Sequence, residues 1–238
     1  MFSRRWFLIF SLLWFAGRLI AGEAYAPFRA DLPAGAAYQL DATRLHPTQF
    51  SVGLREVVSK RAAIDKLTPA KLAAYLQDKD VSVVIGPGGV PYMIDGHHTI
   101  SALLYSAQAD KTVYGHILAN WSELTPEVFW ARMQAERYTY LKDASGVLAS
   151  PDKLPASLRG MQHDIYRGLA WAVMKAGGFA EIKPPKIFFQ EFHWADFFRG
   201  RVHWNDGDDR DFARALAEAV ALAKSPEAKG LPGYKAAP

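Results

Sequence analysis

Cysteine is absent from all 238 residues, which excludes disulfides, thiol catalysis and thiolate-held metals. Any site must be built from histidine, carboxylates, hydroxyls or backbone. Surplus charge is also scarce. The formal charge is +4, but residues 1–26 hold Arg4, Arg5, Arg18 and Glu23, so the remainder carries only +2. Binding along a duplex needs clustered lysine and arginine to neutralise phosphates, so this balance argues against DNA as a partner. Long hydrophobic runs are missing from the body of the chain, where no window approaches the roughly 20 apolar residues that span a bilayer. Internal repeats and low-complexity tracts are missing too. What is present is apolar material, 50% of the residues with 13% aromatic, enough for one core and a small second lobe.

The N-terminus reads MFSRRWFLIFSLLWFAGRLIAGEAYA. A short basic start, an apolar stretch over residues 6–16 and small residues ending at Ala26 have the three parts of a signal peptide. Ser3-Arg4-Arg5-Trp6-Phe7-Leu8 resembles the twin-arginine export signal, and Arg18 is better tolerated there than in a membrane anchor. Residues 1–26 are therefore expected to be a signal peptide or, uncleaved, a membrane tether, and the protein to be exported to a bacterial periplasm. Pro27 disfavours cleavage directly after Ala26 and moves the expected processing toward Ala21.

Residues 27–37 are rich in Pro, Ala and Gly and predict a poorly ordered lead-in. A strand is expected at residues 38–40, then a turn holding His46-Pro47. The apolar residues Leu54, Val57, Val58 and Ile64 predict a helix with Arg55, Glu56, Lys60 and Arg61 off its apolar face. Thr68-Pro69 starts a second helix. VSVVIG and VPYMI read as antiparallel strands joined by Pro-Gly-Gly. Ile100, Leu103, Leu104 and Ala107 recur at helical spacing over residues 98–108, and TVYGHILANW reads as another strand. From Thr125 the pattern is helical and aromatic-rich. One α+β unit is expected, with a small mixed sheet in residues 38–122, a helical extension in 123–224 packed on it, and a flexible tail in 225–238.

The stretch Asp95-Gly96-His97-His98-Thr99 joins the second of those strands to the following helix. A strand feeding a helix through Asp-Gly aims backbone N–H groups at one place, where they and the helix dipole favour an anion. Gly96 permits close approach to the backbone. His97 and His98 project about 100° apart if both are helical, and imidazoles titrate near neutrality, which suits phosphate contact or proton transfer. The plainer alternative is an aspartate cap followed by two histidines that pack or bond to backbone. Asp95, His97 and His98, with His116 on the next strand, are also competent ligands for a divalent metal ion, although adjacent histidines converge only on an irregular turn.

HPTQFSVGLREVVSK, VSVVIGPGGVPYMIDGHHTISALL, the later FW, HDIYRGLA and EFHWADFFR, in that order, resemble the ParB-like putative nuclease family of the ParB/sulfiredoxin superfamily. In that superfamily the glycine-led turn after this strand holds nucleotide phosphates, in CTP-hydrolysing ParB proteins, ATP-using sulfiredoxins and a free-serine kinase. The resemblance assigns Gly96, His97 and His98 to that turn. Many relatives carry arginine where this chain has Thr99, so one bidentate phosphate clamp is missing. His97 replaces the sulfiredoxin cysteine, which excludes that chemistry. The kinase relatives place an acidic base on the segment matched by VGLREVVSK, so Glu56 becomes the expected base and Lys60, one helical turn on, a phosphate neutraliser. The plainer reading is an exposed Glu56–Lys60 helix pair. The resemblance thus implies phosphoester hydrolysis or phosphoryl transfer, with Glu56 and His98 as catalytic residues, an anionic small-molecule or phosphoester ligand, and a nucleotide or divalent ion as cofactor. A non-catalytic module that captures an anionic ligand or a protein is the alternative. Glu191, His193 and Asp196 lie among aromatics and read as packing. His163, Asp164 and Arg167 read as a helix start with a polar network.

Overall fold

A computed structural model describes residues 25–236. The N-terminal export expectation lies mostly outside them. In chain order the elements are β1 (Ala26–Pro27), β2 (Ala37–Asp41), β3 (His46–Pro47), β4 (Ser51–Val52), α1 (Leu54–Ile64), α2 (Pro69–Lys79), β5 (Val83–Gly86), β6 (Val90–Met93), α3 (His97–Tyr105), β7 (Thr112–Asn120), α4 (Pro126–Ala135), β8 (Gln162–His163), α5 (Ile165–Lys175), α6 (Gln190–Phe198) and α7 (Asp209–Ala223). Six strands form a mixed sheet in the order β1-β2-β7-β5-β6-β3, and β4 pairs with β8 separately. The expected α+β architecture is present.

The sheet is ordered by what each strand must bury. Val83, Val84, Ile85 and Gly86 are all buried, as a β-branched run should be when both faces of its strand are covered. Val83 and Ile85 join Leu72 and Leu76 of α2, Ile100 and Leu103 of α3, and Val57 and Ile64 of α1 in the main core. Val84 points the other way, into a smaller cluster with Ile94, Phe129 and Met133. β5 turns antiparallel into β6 through Pro87–Gly89 and runs parallel to β7, with a register shift at Val83/Val84. β7 must pass within bare-backbone distance of the chain entering β5: a Cβ on Gly115 would lie 2.0 Å from the Val81 carbonyl oxygen.

A second core belongs to the helical half. Leu169 and Val173 of α5, Trp194 and Phe198 of α6, and the Ala215, Ala219, Ala223 stripe of α7 pack together, with Trp194 stacked on Phe179 at 4.3 Å. The two cores meet where α1 starts. A Cβ on Gly53 would fall 2.6 Å from Cα of Gly168, so glycine lets α1 and α5 touch. Close by, Arg55 lies 3.8 Å over the Phe212 ring and pairs with Asp206 at 3.2 Å and Asp209 at 3.0 Å, tying α7 to α1.

Three expectations need correction. Residues 27–37 are a packed part of the fold: Phe28 and Leu32 enter the main core, and the Asn120 side-chain amide donates to the carbonyls of Ala30 and Leu32. Ala26, placed in the leader, pairs in parallel with β2, so the folded body already includes it. In the expected flexible tail, Ala228 is buried, Tyr234 bridges to Phe179, and the Pro232 carbonyl accepts from Gln190 and Trp194. Proline and glycine mark turns, and these turns are pinned by their apolar neighbours.

Candidate functional site

β6 leads through Ile94 and Asp95 to Gly96, whose φ of 86° lies in the left-handed region that glycine tolerates. α3 then begins with no side-chain cap, leaving its first N–H groups to other acceptors. Asp95 stands exposed at the rim, although the protein around it is enough to raise its carboxyl pKa.

The two imidazoles face into the protein. His97 Nε2 accepts the Thr48 N–H at 3.2 Å, and His98 Nε2 accepts the Gly53 N–H at 3.0 Å. The Thr48 hydroxyl donates to the Met93 carbonyl at 2.8 Å. Two histidines therefore fasten the segment between β3 and α1 to the turn, a backbone role that the plainer sequence reading contained. Both rings are neutral. Burial, helped by the Arg167 guanidinium, lowers His97 to about 3 and His98 well below the usual imidazole range.

Glu56 is buried, not part of an exposed helix pair. Its carboxylate meets Lys60 Nζ at 2.7 Å and Arg167 Nη1 at 3.0 Å, with His98 Nε2 at 3.7 Å. Burial alone would raise this carboxyl, but the attraction of His98, Arg167 and Lys60 outweighs it and lowers the pKa to about 2. Since His98 is neutral at ordinary pH, its share of that attraction falls away there, and Arg167 and Lys60 are the charges that keep Glu56 ionised. Lys60 also donates to the Thr99 hydroxyl at 3.0 Å.

Arg167, read from the sequence as part of a helix start with a polar network, was not placed at the site by that reading. The Asp164 side chain accepts from the N–H groups of Tyr166 and Arg167 and starts α5, which puts the guanidinium in the first helical turn, near the positive end of the dipole. A cation there is electrostatically misplaced unless acids await it, and that was the available signal. Glu56 and, at 3.5 Å, Glu191 await it. Its hydrogen bonding is incomplete, because Nε is buried with no partner among the described residues. Nη2 lies 3.4 Å from His98 Nδ1. With Nε2 accepting from Gly53, Nδ1 carries the ring proton, so these two atoms are donors facing each other.

Glu56, Lys60, Asp95, Gly96, His97, His98, Thr99 and Arg167 all line one cavity of about 390 Å³, closed on its other side by residues 181–184 and the start of α6. His116 does not line it. That ring sits on β7 beside Asp80, at 2.7 Å, and so cannot complete a ligand set with the turn. Among the described residues no group of three or more His, Asp or Glu is placed to hold a metal ion. The grouping of Glu191, His193 and Asp196 also separates: Glu191 faces this cavity, His193 faces a different groove, and Asp196 pairs with Lys142 and the Tyr140 hydroxyl.

A family model described as "Putative ParB-like nuclease" matches residues 38–200. The chain belongs to this ParB-like family. The match takes in both the sheet and the α5–α6 region that supplies Arg167 and Glu191. The ParB-like chain also resembles the crystal structure of protein Atu1540 from Agrobacterium tumefaciens, with a TM-score of 0.74 and 35% identity, covering 85% of this chain and 97% of that one. No curated protein matches it.

Proposed function

We propose that this ParB-like protein binds a phosphate or phosphoester group in the 390 Å³ cavity and acts there by hydrolysis or phosphoryl transfer. The observation that carries this reading is the convergence on one cavity of donors unmet or weakly met: Arg167 Nε, which has no partner among the described residues, Arg167 Nη2, whose acceptor is Glu191 at 3.5 Å, His98 Nδ1 and the uncapped first turn of α3, with the Lys60 ammonium beside them. A planar guanidinium offering Nε and Nη2 matches two oxygens of a phosphate. Arg167 thus supplies, from α5, the guanidinium missing at Thr99.

Held below the usual carboxylate range by Arg167 and Lys60, Glu56 is too weak a base to deprotonate water or a hydroxyl efficiently near neutrality. A bound phosphate changes its surroundings. By neutralising Lys60 and Arg167, the anion removes the charges that hold the carboxyl down, and the burial that remains raises it. Glu56 becomes a stronger base only when substrate is seated. If it stays pinned, the same geometry serves the second reading, a module that captures an anion without turnover.

Thermal unfolding in inorganic phosphate and in a phosphomonoester tests binding. Ligand at 100 times its Kd adds about 2.7 kcal/mol to the native state. The shift should shrink strongly in Lys60→Met and Thr99→Val. Turnover of an aryl phosphate that disappears in Glu56→Gln, with phosphate affinity kept, establishes catalysis. A shift without turnover establishes the capture module, and the absence of any shift refutes both. The small charge of the body favours a small anionic ligand over DNA. The twin-arginine-like N-terminus supports an exported location for this chemistry, which a periplasmic fraction probed for the chain would check.

A further inference from the structure

A second concavity, of about 750 Å³, lies between residues 134–142, residues 185–189 and His193 on the exposed side of α6. That volume is in the range of about 300–1,000 Å³ typical of small-molecule sites. Its walls are mostly ring and aliphatic carbon. Tyr138 and Phe188 meet edge to face at 5.6 Å, Tyr140 and Phe189 lie 6.3 Å apart, and Leu148 borders it largely exposed. Phe189 divides this groove from the phosphate cavity, its ring 6.4 Å from that of His97.

Charge and backbone give the groove a direction. Lys142 is neutralised by Asp196 at 2.6 Å. Arg137 and Lys186 have no ion-pair partner among the described residues, and Glu136 is the acid that shares the lining with them. One positive charge is left over. Three non-glycine residues among those described have left-handed backbone, and two of them, Arg137 and Phe189, border this groove with φ near 59°. Such conformations persist where surrounding structure enforces them and are enriched at ligand sites.

We infer that this groove is a second binding site, for a small planar aromatic molecule carrying one negative charge. The aromatic walls take the ring by stacked or edge contacts, and Arg137 with Lys186 takes the anionic group at the rim. The site is independent of phosphate binding.

Fluorescence titration of the full chain tests this with anilinonaphthalene sulfonate and its uncharged analogue phenylnaphthylamine. The sulfonate should bind more tightly. Arg137→Asn with Lys186→Ala, both at exposed positions, should weaken the sulfonate about tenfold while leaving the neutral dye unchanged. Phe188→Ala should weaken both dyes, and saturating inorganic phosphate should displace neither. Equal sulfonate binding by the charge variant, indifference to Phe188→Ala, or displacement by phosphate would each overturn the assignment. Displacement would place the dye in the first cavity. Failure of phosphate to bind there leaves this result standing.

Discussion

Acid should loosen this fold through His97, and the amount can be worked out. In the unfolded chain the imidazole titrates near 6.5, whereas in the fold it does so at about 3, because burial and the Arg167 guanidinium disfavour the cation. Below 6.5 the unfolded state therefore binds a proton that the native state refuses. Stability rises with pH wherever the unfolded state holds more protons, so this contribution is fully present above 6.5 and is lost as pH falls toward 3. The slope is about 1.4 kcal/mol per pH unit, which makes about 2 kcal/mol between pH 7 and pH 5 from His97 alone. Urea unfolding of wild type and His97→Gln at both pH values isolates the effect, since other groups contribute to both proteins. The variant should start less stable at pH 7, by about 1–3 kcal/mol if glutamine leaves the buried Thr48 N–H without an acceptor, and should then lose about 2 kcal/mol less on acidification. Equal losses in the two proteins would show that His97 protonates freely in the fold and would refute its role as a neutral backbone acceptor.

Glu56→Gln leaves the buried Arg167 without its nearest charge partner. It should cost about 3–5 kcal/mol in thermal unfolding, with added phosphate restoring part of the loss; a cost below about 1 kcal/mol would mean that the guanidinium is not held by this pair. Gly53→Ala forces a methyl against the Gly168 backbone at 2.6 Å and should cost about 1–3 kcal/mol while also weakening phosphate binding, because the start of α1 and the start of α5 must part. A stable variant with unchanged phosphate affinity would show that the close approach is not needed for the site. In hydrogen exchange, phosphate should slow amides at the start of both α3 and α5. Protection confined to α3 would take Arg167 out of the phosphate contact.

The parts of this architecture that were legible in the sequence are those written locally. Val83 to Ile85, the Pro-Gly-Gly turn and Val90 to Met93 announce a hairpin by composition, and Thr68-Pro69 and Thr125-Pro126 announce helices by their caps; each is found. Asp95-Gly96 marked the turn correctly because a left-handed residue before a helix has a chemical signature. What the turn's histidines bond to was not legible: Thr48 and Gly53 lie 49 and 45 residues from their imidazole partners, and only the folded sheet brings them near. Arg167 is 111 residues from Glu56. Its local pattern announced a helix start, and its position against the helix dipole was the sole trace of a distant acid. The lead-in and tail misled for a related reason. Proline and glycine report irregular backbone, whereas Phe28, Leu32 and Ala228 decide whether that backbone is anchored.

The cavity also ties its chemistry to the joining of the two cores. Glu56 and Lys60 come from α1, Thr99 from α3, and Arg167 from a helix whose other residues pack in the C-terminal core. Neither half has both the carboxylate and the guanidinium. Left without the C-terminal half, Glu56 would lose one of its two permanent cations and its burial would raise the carboxyl; left without α1, Arg167 would keep only the longer contact to Glu191. Each charge is tolerable in the interior because the other half supplies its partner. The groups that hold the halves together are thus the groups that line the cavity, and under the proposed function an anion that draws Lys60 and Arg167 away from Glu56 would act on the seam itself. On the proposed function, binding there would have to compete with the ion pairs, which would set its affinity below that of a preformed cationic pocket and make the basicity of Glu56 depend on occupancy.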